Sequence, residues 1–233
     1  MEYQEYESNY TESTELKQLQ ATFMTKVYGW MFLALIITGL VALFTAASDA
    51  VRTIVLPNYY VLILLQLGLV IGISWGINKI SSVVATLLFL IYSAFVGLTL
   101  SIIFLVFRIE IISATFFITA ATFGIMSAIG YFTKKDLSSI GQLLMMGLIG
   151  IIIASVANWF LKSPGLYYII SYVGLFIFIG LVAYDTQKIK RMATLQLEGK
   201  ETTQKGAIMG ALSLYLDFIN IFLFLLRIFG GRR

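Results

Sequence analysis

The stretch ALSLYLDFINIFLFLLRIFG, Ala211 to Gly230, decides what kind of molecule this is. It is long and apolar enough to cross a hydrocarbon core, for which about 20 residues of helix suffice. The exception within it is Asp217, a carboxylate near the middle. An ionised side chain at that depth loses its hydration and finds no solvent to replace it. An acid inside a span is therefore a functional candidate by default.

Composition extends the reading to the whole chain. Its 233 residues are 59% hydrophobic and only 12% charged, with a mean hydropathy of +0.91. Soluble domains carry about 25% charged residues, and the helices of a soluble bundle would each need a polar face that these segments lack. The chain reads as an all-α integral membrane protein. It has no cysteine and no histidine, which excludes disulfides, thiolate nucleophiles, Cys/His zinc sites and histidine acid–base catalysis. Histidine is also the usual sensor of pH near neutrality, so any proton sensing falls to carboxylates. The net charge of +4 does not point to nucleic acid, because the basic residues sit in short loops beside apolar spans.

The tail MEYQEYESNYTESTE has five glutamates and little to bury, so residues 1–20 are expected to be a disordered acidic cytoplasmic segment. The first apolar run after it has the length of a span rather than of a cleavable signal. Residues 21–233 then form one domain of seven spans, at roughly 27–46, 59–78, 83–106, 111–132, 140–161, 167–189 and 207–229. The continuous apolar runs lack the alternation of a membrane barrel. The connection KIKRMATLQLEGKETTQK, Lys188 to Lys205, is polar and expected to be mobile.

Small residues recur at four-residue spacing in three spans: Gly68, Gly72 and Gly76; Ser93, Gly97 and Ser101; Ala120, Gly124 and Ala128. They read as seams for close helix packing. Tyr59, Tyr60, Trp159, Tyr167 and Tyr168 fall at span ends, as interfacial anchors do. Ten of the sixteen Lys and Arg residues lie on the side of the tail and the even-numbered loops. That bias predicts a cytoplasmic N-terminus. Seven spans then put the C-terminus outside, unless the last run is re-entrant.

Of the twelve acids, only Asp185 and Asp217 fall inside apolar runs. They occupy consecutive spans joined by one loop, which can lie antiparallel and side by side. If the carboxylates meet, both cannot ionise cheaply in a dry bundle, so the pair would share a proton and titrate in coupled steps. Equal depth requires the sixth helix to continue through KIKRMATL, and this extension is predicted. The alternative is that each Asp is interhelical glue, paired with Asn220, Asn158 or a lysine.

GLVAYDTQKIK (Gly180 to Lys190) and ALSLYLDFINIFLFLLRIFG resemble the paired C-terminal motifs of the transmembrane Bax-inhibitor-motif family, in its bacterial branch. TKKDLSSIG after the fourth span, GLTLS at Gly97 to Ser101 and VYGWM at the head of the first span fit the same resemblance. It implies a seven-helix bundle in which six helices surround a central, hydrophobic C-terminal helix, in the bacterial plasma membrane. The activity it implies is a pH-sensitive calcium leak and not an enzyme. Asp185 and Asp217 match the family's two-aspartate pH sensor, and Lys79 matches an arginine that can latch onto the sixth-helix aspartate. No tightly bound cofactor is expected; calcium is the permeant ion, held weakly and transiently by Asp185 and Asp217. Two departures stand out: a long loop between the last two spans, and Gln66 where relatives can carry a glutamate.

Partners are then the lipid bilayer and calcium ions, with no nucleic acid. The alternative function is a contact regulator of another membrane protein, such as a membrane-bound protease. A proton-coupled transporter fits less well, because broken helices in matching halves are not evident. An intramembrane aspartyl protease would need a Gly-Leu-Gly-Asp-like segment, and Asp217 is preceded by Leu-Tyr-Leu.

Overall fold

Inside a bilayer every backbone N–H and C=O must be satisfied within the chain, which leaves helices for a sequence without strand alternation. The computed structural model describes residues 2–194 and 199–230, with side chains described from residue 14 onward. Its elements are α1 (Glu2–Ala47), α2 (Asp49–Val55), α3 (Tyr59–Gly76), α4 (Ser82–Leu100), α5 (Ile102–Val106), α6 (Ile109–Phe132), α7 (Ser138–Leu161), α8 (Pro164–Arg191) and α9 (Lys200–Phe229). Seven helical segments among the described residues are long and apolar enough to cross a membrane, α4 and α5 together forming one of them. They coincide with the seven predicted runs.

The third of these spans breaks at Ser101. Ser93, Thr99 and Ser101 each turn a hydroxyl back onto a carbonyl three residues earlier, at 2.6–2.9 Å. Such back-bonding competes with the helix ladder and bends it.

α9 is the central element. It packs against α1, α4, α6 and α8, while α3 packs on α4 and α7 on α8 at the periphery. Four helices rather than six thus surround it most closely. Leu214, Tyr215 and Ile221 are completely buried, as expected of a helix that is apolar all round. Large side chains on the outer helices, such as Trp75, Met146 and Phe160, point outward, where lipid is the matching solvent. The Thr38 hydroxyl donates to the Ser93 carbonyl at 2.8 Å. Its one proton is thereby used, so the Tyr215 hydroxyl donates to Thr38 Oγ1 at 2.7 Å. Phe89 and Tyr92 meet the Tyr215 ring edge-on. One tyrosine therefore ties α9 to both α1 and α4.

α1 runs as one helix from Glu2 to Ala47, and residues 2–28 contain no Gly or Pro to interrupt it. Two expectations change. The polar connection after the sixth span is mostly helical: α8 runs to Arg191, a 3₁₀ turn follows through Thr194, and α9 begins at Lys200. The predicted extension through KIKRMATL thus holds as far as Thr194, and Leu195 lies outside the described residues. Only one of the three small-residue faces is a seam. A Cβ on Gly97 would stand 2.7 Å from the Thr38 carbonyl oxygen and 2.8 Å from Val41 Cβ. A Cβ on Gly68, Gly72, Gly76 or Gly124 would meet nothing within 4 Å. On α6 the buried face is Ile112, Thr115, Thr119, Phe123, Ser127 and Gly130. Small residues permit close approach without requiring it.

The motif TKKDLSSIG forms a clasp with the end of α8. Asp136 Oδ1 accepts from the Ser138 amide (3.0 Å) and hydroxyl (2.7 Å) and from Arg191 Nη2 (2.9 Å). Gln187 Oε1 accepts from the Leu137 amide, and its Nε2 donates to the Lys135 carbonyl, both at 2.9 Å. Lys190 Nζ donates to the Tyr131 carbonyl at 2.9 Å and sits 4.6 Å from that ring's centre. The hydrogen bonds from Ser138, followed by the one from Arg191, lower the Asp136 carboxyl to about 2. The Arg191–Asp136 pair is exposed and contributes little alone. Gln187, 7% exposed, is the buried part of the clasp.

Gly97→Ala forces α1 and α4 apart and costs about 1–3 kcal/mol, read as a lower thermal midpoint in detergent, whereas Gly68→Ala and Gly72→Ala leave the midpoint unchanged or raise it. In hydrogen exchange, Gln187→Ala exposes the Leu137 amide more than Arg191→Ala does. A carboxyl with a depressed folded pKa contributes above its unfolded value and loses that contribution as pH falls. The Asp136 contribution should accordingly be constant from pH 8 to 5 and weaken only from about 4 toward about 2.

Candidate functional site

Asp185 sits on α8 and Asp217 on α9, on helices packed side by side. Asp217 lies 17 positions after Lys200, so it stands about 25 Å along the helix, near mid-membrane. It is 4% exposed, and its Oδ2 has no hydrogen-bond partner among the described residues. Asp185 is half-buried and accepts a hydrogen bond from the Ser213 hydroxyl. Ser213 and Asp217 are four residues apart on α9 and so share one face. The two carboxylates lie on packed helices, but Ser213, not Asp217, is the direct contact of Asp185.

A cavity of about 210 Å³ opens beside Asp185, lined by Ser74 of α3, Lys188 and Met192 at the end of α8, and Ser213 and Leu216 of α9. Lys188 and Met192 place it near the lysine-rich end of the bundle. Lys188, three residues after Asp185, is the charged neighbour. Lys79 does not reach this site. It is exposed in the turn after α3 and takes part in no ion pair among the described residues. The residue that α3 brings to the cavity is Ser74.

The partners expected of interhelical glue are occupied elsewhere. Asn158 Oδ1 accepts from the Ser163 amide at 3.0 Å and closes α7, where Lys162 adopts a left-handed conformation (φ 51°). Asn220 Nδ2 donates to the Leu216 carbonyl at 2.8 Å. Gln66 Nε2 donates to the Phe95 carbonyl (3.0 Å) and Thr99 Oγ1 (3.1 Å), joining α3 to α4. None of them pairs with Asp185 or Asp217.

Hydroxyls also meet between α1, α6 and α8. Tyr28 of α1 contacts Ser127 of α6, and Ser127 lies 3.1 Å from Thr186 of α8. Thr115 Oγ1 and Thr45 Oγ1 are buried without hydrogen-bond partners among the described residues. No group of three or more His, Cys, Asp or Glu side chains is gathered among the described residues. Calcium prefers six to eight oxygen ligands, more than two carboxylates and their neighbouring hydroxyls supply.

Ser213, Ser74 and Lys188 were not singled out from the sequence. Ser213 carried a usable signal, being the polar residue one helical turn before Asp217 on the same span. Lys188 carried one too, at three residues from Asp185. Ser74 had none, because only the packing of α3 brings it there.

Comparison with known proteins agrees with this architecture. The family described as "Inhibitor of apoptosis-promoting Bax1" matches residues 20–233. The inner membrane protein YbhL of Escherichia coli strain K12 is 50% identical over 217 residues, covering 91% of this chain and 92% of the relative. An uncharacterized protein of Borreliella burgdorferi is 47% identical over 214 residues, with 91% and 92% covered. Another, from Rickettsia prowazekii, is 41% identical over 213 residues, with 91% and 90% covered. With a family match running from residue 20 to the last residue, and relatives this similar along nearly their whole length, the chain belongs to the Bax1-inhibitor family of membrane proteins.

Proposed function

We propose that this protein is a pH-sensitive calcium leak of the bacterial plasma membrane, gated by protonation of Asp185 and Asp217. The observation that carries the reading is the unpartnered carboxylate oxygen of Asp217. It is buried at mid-membrane on the central helix, one turn from the Ser213–Asp185 hydrogen bond. An uncompensated polar atom at that depth is costly, and a transient cation or a proton would each relieve the cost.

The steps follow from the residues. With both carboxylates ionised, the pair attracts a divalent cation from the cavity beside Asp185 and passes it to Asp217, one helical turn deeper. Protonation removes the charge that attracts the cation. It also converts an acceptor into a donor, so the contact of α8 with α9 changes its hydrogen bonding. Weak coordination suits conduction, because a site that binds tightly does not release. Lys188 beside the cavity competes with the cation for Asp185 and takes the part expected of Lys79. The lysine-rich end, with the N-terminus, faces the cytoplasm.

The test is calcium entry into dye-loaded proteoliposomes across about pH 6 to 8. The parent protein gives a pH-dependent flux, changing by up to about tenfold per pH unit where one proton governs opening. Asp217→Asn and Asp185→Asn each flatten that profile, and Lys188→Gln shifts it while Lys79→Gln leaves it in place. Flux equal to that of protein-free vesicles at every pH would overturn the leak. Contact regulation of another membrane protein would then be the reading to pursue, with deletion of residues 1–20 as its first test.

A further inference from the structure

The lysine-rich end of the bundle carries a groove of about 450 Å³ between α1 and the first two turns of α9. Lys26 and Trp30, four residues apart, line it from α1; Lys200, Gln204 and Ala207 line it from α9. Each wall presents one ammonium group above a less polar floor. Neither Lys26 nor Lys200 takes part in an ion pair among the described residues. The acid nearest in sequence, Glu201, is already paired with Lys205 at 3.2 Å.

The height of the groove matters as much as its charge. Lys26 stands at the head of the apolar run of α1. Lys200 precedes Ala207 by seven residues, about 10 Å of helix. Lys26 therefore falls at the inner edge of the headgroup layer, which adds about 5–8 Å to each side of the hydrocarbon core, and Lys200 at its outer edge, so the two ammonium groups bracket that layer. Trp30 is half-buried, packed against the core of the bundle. An indole at that height is suited to the junction of headgroup and acyl chain.

We propose that this groove binds the headgroup phosphate of an anionic phospholipid, held between Lys26 and Lys200, with Trp30 and Ala207 receiving the glycerol and first methylenes. Basic pockets between transmembrane helices are suited to such headgroups. A lipid is the better occupant than free phosphate, because Trp30 and Ala207 line the groove beside the lysines and the groove lies level with the membrane surface. Bound there, it would join the start of the central helix to α1 at the end nearer Asp185. The inference rests on the groove and not on the calcium reading.

The test uses Trp30 as the reporter. Trp75 and Trp159, 85% and 69% exposed, are replaced by Phe in the full-length chain, which leaves Trp30 as the sole tryptophan. Quenching of its fluorescence is measured in vesicles mixing brominated phosphatidylglycerol with phosphatidylcholine, and in the converse mixture. The expected result is a several-fold preference for phosphatidylglycerol near Trp30, reduced by about fivefold for each lysine removed in Lys26→Gln and Lys200→Gln until none remains. Lys134→Gln/Lys135→Gln, which removes the same charge from the same end, should keep the preference. An equal quench by both lipids would overturn the proposal. So would a preference that survives the Lys26→Gln/Lys200→Gln pair, or one that the Lys134/Lys135 pair abolishes equally. Excess inorganic phosphate should leave the preference intact; its loss would indicate a free-phosphate site and count against the lipid.

Discussion

A carboxylate buried at mid-membrane has no water to turn to, and the rest of this structure is arranged around that constraint. Asp217 sits on the one helix that other helices surround, 4% exposed, with one oxygen unpartnered. The apolar surface of α9 secures its central place, and Tyr215 fixes its rotation by joining Thr38 and the rings of α4. With α9 held on that side, its opposite face directs Ser213 to Asp185. The buried acid is thus a consequence of how α9 packs and not a local irregularity.

The last turn of α8 is held differently from the turn before it. Beyond Asp185, Gln187, Lys190 and Arg191 fasten the helix to the end of α6 and the loop after it through side-chain hydrogen bonds. Asp185 itself faces a cavity and a single hydroxyl. In the leak proposed above, a proton would act on the Ser213–Asp185 hydrogen bond, one contact within the extensive packing of α8 on α9.

Much of this was legible in the sequence because lipid imposes a simple rule. Apolar runs of span length must be helices, so the seven spans followed directly, as did the isolation of Asp185 and Asp217. The extension of the sixth helix followed from the need to bring the two acids to one depth. Neighbour relations were less legible. In water an apolar face must be covered, but in lipid an exposed glycine stripe has no penalty. Gly68, Gly72 and Gly76 therefore looked like Ser93, Gly97 and Ser101 yet pack against nothing. Lys79 was matched by position along the chain, while the approach to Asp185 depends on which residue of α3 faces α8, and that residue is Ser74. The long polar connection was misleading for another reason: its Lys, Glu, Gln and Thr residues are compatible with helices that project beyond the membrane.

The central claim is that Asp185 and Asp217 behave as one unit. The most direct measurement is infrared difference spectroscopy of the carboxyl stretch during a pH titration of the protein in membranes, with Asp185→Asn and Asp217→Asn used to assign each band. A coupled pair predicts that removing either acid moves the titration of the one that remains. Two carboxyl bands that titrate independently, each unchanged when the other acid is replaced, would contradict it.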